Sequence, residues 1–330
     1  MTDPLLEVTD LTVDYQAEYA DVRALDHVSL SVAAGEFLGV VGESGCGKST
    51  MLFAIAQLLS PPAVVIGGSV KFTGKDMVRL SETELRHMRW RDYAVVMQSA
   101  MNALNPMKTV AAQFADAIRA HAKMTGKEIR NRSAEVLRLV GIDPAHLDSY
   151  PHQLSGGMRQ RTMIAMALLF TPQLVLMDEP TSALDVVAQR ALMRQIKELQ
   201  VQLGFAVIFV THDMSVVSHY SDRVMVMYAG QPAEVGGTRR MFTSPLHPYT
   251  RGLMDAFPSI RGARRELTGI PGSPPDLGHL PPGCRFMPRC PEAMPECATR
   301  SLEMYTVDDA EVRCLLYDGQ SHQPPVGETA

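Results

Sequence analysis

Residues 42–50 read GESGCGKST, and this stretch decides the fold. It fits the pattern G-x-x-x-x-G-K-[ST], whose glycines let the backbone curl until several N–H groups point at one anion. The apolar run EFLGVV at 36–41 precedes it and is typical of a buried strand, whereas the following GKSTMLFAIAQLL has a helical pattern. A helix that begins at such a loop adds its dipole to the attraction for negative charge. The stretch is therefore predicted to bind phosphates between a strand and a helix.

Each residue of the loop has an expected task. Lys48 is expected to reach the β- and γ-phosphates, and Ser49 to ligate Mg²⁺. Cys46 sits where a helix dipole would lower a thiol pKa, but no partner base is evident, so a role as nucleophile is not favoured. The residues predicted to line the phosphate site are Gly42, Ser44, Gly45, Cys46, Gly47, Lys48, Ser49 and Thr50.

Outward from the loop, strands alternate with helices. Apolar and polar residues alternate in LLEVTDLTVDY and VSLSV, which predicts half-buried antiparallel strands. Continuous apolar runs in LVLMDEP, FAVIFVTHD and RVMVMYAG predict buried strands. Residues 99–165 look mostly helical, with one helix from Ser133 to Gly141, and 188–204 have an apolar helical face that ends at Gly204. This order predicts an α/β fold with a largely parallel sheet.

Composition excludes several classes of protein. The chain has 330 residues, of which 46% are hydrophobic and 20% charged, as in a globular protein of one large domain or two. A net charge of −5 without a long basic run argues against a nucleic-acid partner. The start MTDPLLEVTDL does not resemble a signal peptide, and no apolar run approaches the roughly 18 residues of a membrane helix. We therefore expect a cytosolic setting, where thiols stay reduced.

Two carboxylates end one of the predicted buried strands. Asp178 is placed to hold Mg²⁺, and Glu179 to polarise an attacking water as general base. Acidic strand ends that face solvent are common, so these two carboxylates alone are weak evidence for catalysis. They become strong evidence in combination with the phosphate-binding loop, because hydrolysis needs both a bound phosphate and a positioned water.

Four further segments carry a family resemblance: MQS at 97–99, LSGGMRQR at 154–161, SALD at 182–185 and VTHD at 210–213. With the loop, and in this order, they make residues 5–245 resemble the ATP-binding subunit of an ABC transporter. The resemblance implies a P-loop NTPase cassette with a RecA-like core, an antiparallel β subdomain, a helical subdomain and a small cysteine-rich C-terminal extension. The implied bounds are 1–98 and 166–240 for the nucleotide-binding core, 99–165 for the helical subdomain and 241–330 for the extension.

The resemblance also implies a mechanism in which two cassettes pair head-to-tail around ATP. Ser155, Gly156 and Gly157 would open a helix whose N-terminus meets the ATP held by the partner cassette. Gln98 would touch Mg²⁺, and His212 would contact the γ-phosphate. The two remaining expected contacts are Asp185 at the dimer interface and Tyr15 on the adenine, with Tyr19 as the rival for adenine.

The C-terminal part narrows the resemblance. SPLHPYTRGLM at 244–254, LTGIPGSPP at 267–275 and GCRFMPRCPEAMPEC at 283–297 resemble the oligopeptide/dipeptide group of importer ATPases. The cysteines follow C-x5-C-x6-C-x16-C, namely Cys284, Cys290, Cys297 and Cys314. Four thiolates on loops suit tetrahedral Zn²⁺ or a [4Fe–4S] cluster, and the resemblance favours the cluster; four unligated thiols are the remaining alternative.

The expected function is that of an ATPase subunit of a bacterial ABC importer on the cytoplasmic face of the plasma membrane. The implied partners are a sister cassette or a second copy, two membrane permease subunits and, indirectly, an extracytoplasmic binding protein. Peptides are the expected cargo, and oligosaccharides, nickel or glutathione-like ligands are the alternatives within the group. A soluble ABC ATPase of DNA repair or translation is the remote alternative, and a redox-sensing or iron-sensing role of the extension is compatible with transport.

Overall fold

The computed structural model describes residues 3–18, 20–98, 103–182, 184–256 and 269–319. They form two compact units, each assembled from several stretches of chain. The first unit contains Lys71–Val210, Val32–Phe37 and the residues up to Leu6, and the second contains Glu7–Ser31, Leu38–Val70 and the residues from Thr211 onward.

The helices and strands follow the alternation that the sequence predicts. The strands are β1 (Leu6–Tyr15), β2 (Val22–Val32), β3 (Phe37–Val41), β4 (Ala63–Phe72), β5 (Lys75–Asp76), β6 (Tyr93–Val96), β7 (Leu174–Asp178), β8 (Ala206–Val210), β9 (Arg223–Tyr228), β10 (Gln231–Gly237), β11 (Tyr305–Val307) and β12 (Ala310–Val312). The helices are α1 (Lys48–Ile55), α2 (Glu82–Met88), α3 (Val110–His121), α4 (Gly126–Leu139), α5 (Gly156–Ala167), α6 (Val186–Leu203), α7 (Met214–Tyr220), α8 (Thr238–Thr243) and α9 (Pro248–Asp255).

In the first unit, β7 lies between β6 and β8, and all three strands are parallel. Every residue of β7 and β8 is buried, which explains their continuous apolar sequences. The register pairs Val96 with Met177, so the residues that follow β6 and β7 emerge at the same edge. This edge carries the predicted carboxylates.

The helices of the first unit include one whose start differs from the prediction. Thr125 and Glu128 form a capping box at the start of α4, so this helix begins at Gly126, well before Ser133. Ser133 lies inside the helix, where its buried hydroxyl donates to the Ile129 carbonyl at 2.7 Å. The predicted start at Ser133 is therefore wrong, whereas the stop is confirmed by Gly141, which has a φ of 69°.

In the second unit, β9 has one parallel and one antiparallel neighbour. It runs parallel to β3 and antiparallel to β10, and β12 and β11 extend the sheet beyond β10. The C-terminal segment thus adds strands to this sheet, and Leu246, Ala310 and Val312 form a small buried apolar cluster with Tyr305 and Tyr317 packed against it. In the same unit β1 lies between β2 and β4.

Among the described residues, no helix is both long and apolar enough to cross a membrane.

Candidate functional site

The loop between β3 and α1 has the curled backbone that phosphate binding requires. Gly42, Gly45 and Gly47 have φ values of 151°, 78° and 99°. A Cβ at Gly42 would lie 2.2 Å from the Met227 carbonyl oxygen, and one at Gly47 would lie 2.7 Å from that of Ala24. Only glycine fits these two positions, because both the φ values and the neighbouring backbone exclude a side chain.

Lys48 is the first residue of α1, and its side chain folds back over the loop. Its Nζ donates to the carbonyl oxygens of Gly42 at 2.8 Å and Glu43 at 2.9 Å, and the residue is only 6% exposed. The ammonium group therefore lies against the loop, beside the N-terminus of α1. A phosphate bound there would be attracted both by the ammonium charge and by the positive end of the helix dipole.

Cys46 belongs to the same loop and is buried. Burial raises the pKa of its thiol, against the lowering effect of the nearby Lys48 ammonium. Because the thiolate is the nucleophilic form, a raised pKa makes this thiol less reactive.

Tyr15 and His212 are the two remaining predicted site residues of the second unit. The hydroxyl groups of Tyr15, the last residue of β1, and Thr50 in α1 are 3.2 Å apart. Tyr15 is 37% exposed, so its ring is accessible to a ligand. Tyr19, the rival for adenine, lies outside the described residues. His212 is exposed and follows Thr211, whose N–H donates to Val40 of β3 at 3.1 Å.

The first unit holds the predicted catalytic carboxylate. Glu179 directly follows Asp178, the buried last residue of β7, and has a φ of 43° that non-glycine residues rarely adopt. Gln98 donates from its Nε2 to Glu179 Oε2 at 3.1 Å. The register of β6 and β7 explains this contact, since each residue lies two positions beyond a paired one. The general-base candidate is thus held by a neutral amide donor.

Two helix starts of the first unit carry the other predicted residues. Ser155 caps α5 by accepting from the Met158 N–H at 3.3 Å, and Gly156 and Gly157 form its first turn. Outside its own helix, no atom of the described residues lies within 4 Å of the position that a Cβ on Gly157 would take. Asp185 caps α6 and accepts from the N–H groups of Val187 and Ala188 at 3.0 and 2.9 Å.

One group of residues at the loop was missed by sequence reasoning. The Arg289 guanidinium donates to both carboxylate oxygens of Glu43, at 2.7 and 2.9 Å, and the Tyr249 hydroxyl accepts from the Glu43 N–H at 3.0 Å. The hydrogen bonds with the Glu43 carboxylate raise the pKa of Arg289 further above its usual value. Glu43 and Arg289 are 246 positions apart, and no periodic pattern or motif connects them.

The four C-terminal cysteines line one cavity. Its walls also contain His247, Glu292 and apolar side chains, and the lining residues include Cys284, Phe286, Cys290, Cys297, Leu302, Cys314 and Leu315. Burial raises the pKa values of the Cys284 and Cys290 thiols, and that of Cys314 to about 11. In the described parts of the chain, however, no group of three or more His, Cys, Asp or Glu side chains is arranged to hold a metal ion.

The fold and these loops define a P-loop nucleotide-binding cassette. Residues 25–182 match the family model of the ABC transporter, and residues 233–297 match that of the oligopeptide/dipeptide transporter, C-terminal region. The chain is similar to the dipeptide transport ATP-binding protein DppD of Bacillus subtilis, with 44% identity over 96% of each chain. It is also similar to the oligopeptide transport ATP-binding protein OppD of Escherichia coli, with 43% identity over 92% of this chain and 91% of the relative.

A solved structure supports the same assignment. The ATP-binding cassette MJ0796, solved as a dimer in a post-hydrolysis state with ADP and Pi, is 30% identical with a TM-score of 0.64. The match covers 71% of this chain and 99% of that one. The chain belongs to the ATP-binding subunits of ABC transporters, in the oligopeptide/dipeptide group, and it is an ATPase of that family.

Proposed function

We propose that the chain hydrolyses ATP to drive import of oligopeptides or dipeptides. The observation that carries the proposal is that one chain combines the ABC transporter match at 25–182 with the peptide-transporter match at 233–297. We assign residues 1–98 and 166–240 to the nucleotide-binding core, 99–165 to the helical subdomain and 241–330 to the extension.

The loop of residues 42–50 binds the triphosphate. Lys48 exchanges its hydrogen bonds to the Gly42 and Glu43 carbonyls for the β- and γ-phosphates, so the ammonium group is never left without partners. The α1 N-terminus adds backbone N–H donors from Ser49 and Thr50, and Tyr15 stacks on the adenine.

Glu179 acts as the general base that activates the attacking water. Gln98 donates to one carboxylate oxygen at 3.1 Å and fixes the orientation of the carboxylate while the other oxygen faces the water. The unusual φ of 43° at Glu179 is the kind of backbone strain that functional sites retain. His212 contacts the γ-phosphate.

Mg²⁺ is the metal that this chemistry uses. The donor types suit it, because the hydroxyl of Ser49, the amide oxygen of Gln98 and the carboxylate of Asp178 are all hard oxygen ligands. When bound, Mg²⁺ neutralises charge that develops on the phosphates.

A second cassette completes each nucleotide site. Among the described residues outside α5, no atom lies within 4 Å of the position that a Cβ on Gly157 would take, so the packing of these residues does not require a glycine there. Close approach of the partner's ATP to the α5 N-terminus supplies the reason, with Ser155 and Gly156 beside it and Asp185 at the interface. The partner is a sister cassette or a second copy. The pair docks on two permease subunits at the cytoplasmic face of the membrane. An extracytoplasmic binding protein supplies these permease subunits with substrate.

The four cysteines hold a [4Fe–4S] cluster, with Zn²⁺ as the alternative. The support is that all four thiols line one cavity whose other walls are mostly apolar, with His247 and Glu292 among them, and apolar walls would shield a thiolate-bound metal from water. Because burial raises the pKa values of the Cys284, Cys290 and Cys314 thiols, ligation of a metal by their thiolates would release protons. Protein purified without oxygen is expected to contain iron and acid-labile sulfide and to absorb broadly in the blue. Stoichiometric zinc without iron would reject the cluster.

Reconstituted transporter tests the cargo. The chain is co-purified with its permease subunits, placed in proteoliposomes and supplied with the cognate binding protein. Dipeptides or short peptides are expected to stimulate ATP hydrolysis and to accumulate inside. Stimulation by an oligosaccharide, by nickel or by glutathione, with none by peptides, would replace the proposed cargo.

A further inference from the structure

The phosphate-binding loop contains an acidic side chain, that of Glu43, although the loop is predicted to bind an anion. Glu43 directly follows Gly42, and its carbonyl oxygen accepts from Lys48 Nζ at 2.9 Å. A carboxylate in this loop repels the triphosphate that the loop attracts, unless another group neutralises it and holds it away.

Arg289 supplies that group from the cysteine-bearing segment. Its guanidinium forms two parallel hydrogen bonds with the Glu43 carboxylate, and the side chain of Arg289 is 5% exposed against 25% for that of Glu43. Bidentate pairing fixes both the charge and the orientation of a carboxylate, and the pair is shielded from solvent on the arginine side.

Further contacts hold Arg289 itself in place. Its Nε donates to the Pro271 carbonyl at 2.8 Å, and its guanidinium lies 5.8 Å from the centre of the Tyr228 ring. Tyr228 packs against Tyr249, with ring centres 4.6 Å apart, and Tyr249 accepts from the Glu43 N–H. Both the main chain and the side chain of Glu43 are therefore fixed by residues that follow β8 in the chain.

We propose that Arg289 is a positioning residue for nucleotide binding: it neutralises Glu43 and keeps its carboxylate out of the phosphate site. This inference rests on the proposed role of residues 42–50 in binding ATP. It also gives the cysteine-bearing segment a direct contact with the nucleotide site, because Arg289 is the residue before Cys290 and its N–H donates to Phe286 at 2.9 Å between the first two cysteines.

The test separates charge from simple loss of structure. Arg289→Met keeps the length and the apolar stem of the side chain but leaves Glu43 unpaired. Full-length protein, purified without oxygen, is titrated with a fluorescent ATP analogue in the presence of Mg²⁺. Arg289→Met is expected to weaken nucleotide affinity about tenfold, because one negative charge in the loop is no longer neutralised. Adding Glu43→Gln to that variant removes the charge, so its affinity is expected to return to within about twofold of Glu43→Gln alone.

Arg285→Met is the matched control. Arg285 lies between the same two cysteines, its side chain is 11% exposed, and it pairs with the Asp26 carboxylate at 2.5 Å. Its replacement disturbs the same segment without unpairing Glu43. We expect Arg285→Met to change affinity by less than about threefold, with or without Glu43→Gln.

Three results would overturn the inference: an unchanged affinity in Arg289→Met, an equal loss in Arg285→Met, or a loss in Arg289→Met that Glu43→Gln does not relieve. The last result would assign Arg289 a purely structural role. Wild-type protein that does not bind nucleotide would instead overturn the proposed function of the loop, so the two failures are distinguishable.

Discussion

His247 makes the stability of the protein depend on pH in a direction that the structure defines. The side chain is 4% exposed and caps α9, with its Nδ1 accepting from the Tyr249 N–H at 2.9 Å. Burial, helped by the nearby positive charge of Arg251, lowers the pKa of His247 from about 6.5 to about 3. The folded protein therefore keeps this imidazole neutral at pH values where the unfolded chain protonates it.

The magnitude follows from proton linkage. The contribution of His247 to stability is fully present above about pH 6.5 and is lost as the pH falls from there toward about 3, at about 1.4 kcal/mol per pH unit. Between pH 7.5 and pH 5.5 the loss amounts to about 1.4 kcal/mol. For a protein of this size, that loss corresponds to a fall in Tm of about 2 °C.

His247→Asn removes the titration and keeps the cap, because the Asn Oδ1 accepts hydrogen bonds at helix N-termini. Glu234 complicates the wild-type curve: it accepts from the Leu246 and His247 N–H groups, and burial raises its pKa. Its own contribution is present below its usual pKa and is lost as the pH rises, which opposes the effect of His247. Glu234 is present in both proteins, so the difference between them isolates His247.

Thermal unfolding of both proteins, followed by circular dichroism at pH 7.5 and 5.5, provides the measurement. The wild type is expected to lose about 2 °C more than His247→Asn over this interval. Equal losses in the two proteins would refute the reasoning, because His247 would then titrate alike in the folded and unfolded chains.

Three substitutions test the nucleotide site. Glu179→Gln is expected to keep ATP affinity and to lower kcat about 10²–10⁴-fold in steady-state assays, and an unchanged kcat would reject the general base. Lys48→Ala is expected to weaken ATP binding itself in equilibrium titrations, so normal affinity would count against its role. Gly157→Ala is expected to leave the free energy of unfolding within about 1 kcal/mol of wild type, because the added Cβ meets no described atom outside α5, and yet to lower ATPase activity in the assembled transporter. Full activity in that variant would show that no partner approaches the α5 N-terminus.

The parts of the fold that local chemistry determines were predictable from the sequence. The buried strands β3, β7 and β8 follow from continuous apolar runs, and the phosphate-binding loop follows from its glycines, two of which meet backbone atoms that exclude a Cβ. The contact between Gln98 and Glu179 could also have been predicted from the sequence, because neighbouring parallel strands end at the same edge of a sheet.

The start of α4 was predicted wrongly although the sequence carries the signal. Thr125 and Glu128 have the spacing of a capping box, whereas Ser133, inside the helix, bonds to the preceding turn. A serine before an apolar run predicts a helix start only where no better cap precedes it.

Long-range pairing explains what the sequence does not reveal. Arg289 meets Glu43 across 246 positions, and that contact depends on how the C-terminal segment packs against β9 and β10. The cysteine spacing predicted a shared site, and all four thiols do line one cavity, but spacing alone does not determine whether the loops are closed around a metal.

In the proposed mechanism, ATP is enclosed by two cassettes and not by one. The direct test is the ATP turnover per molecule of the isolated chain, measured over a dilution series and compared with that of the complete transporter at saturating ATP. We expect turnover of the isolated chain to fall on dilution and to remain well below that of the complex, because its sites lack the second cassette. Full turnover that does not change with concentration, from a chain that sedimentation shows to be a monomer, would contradict the account.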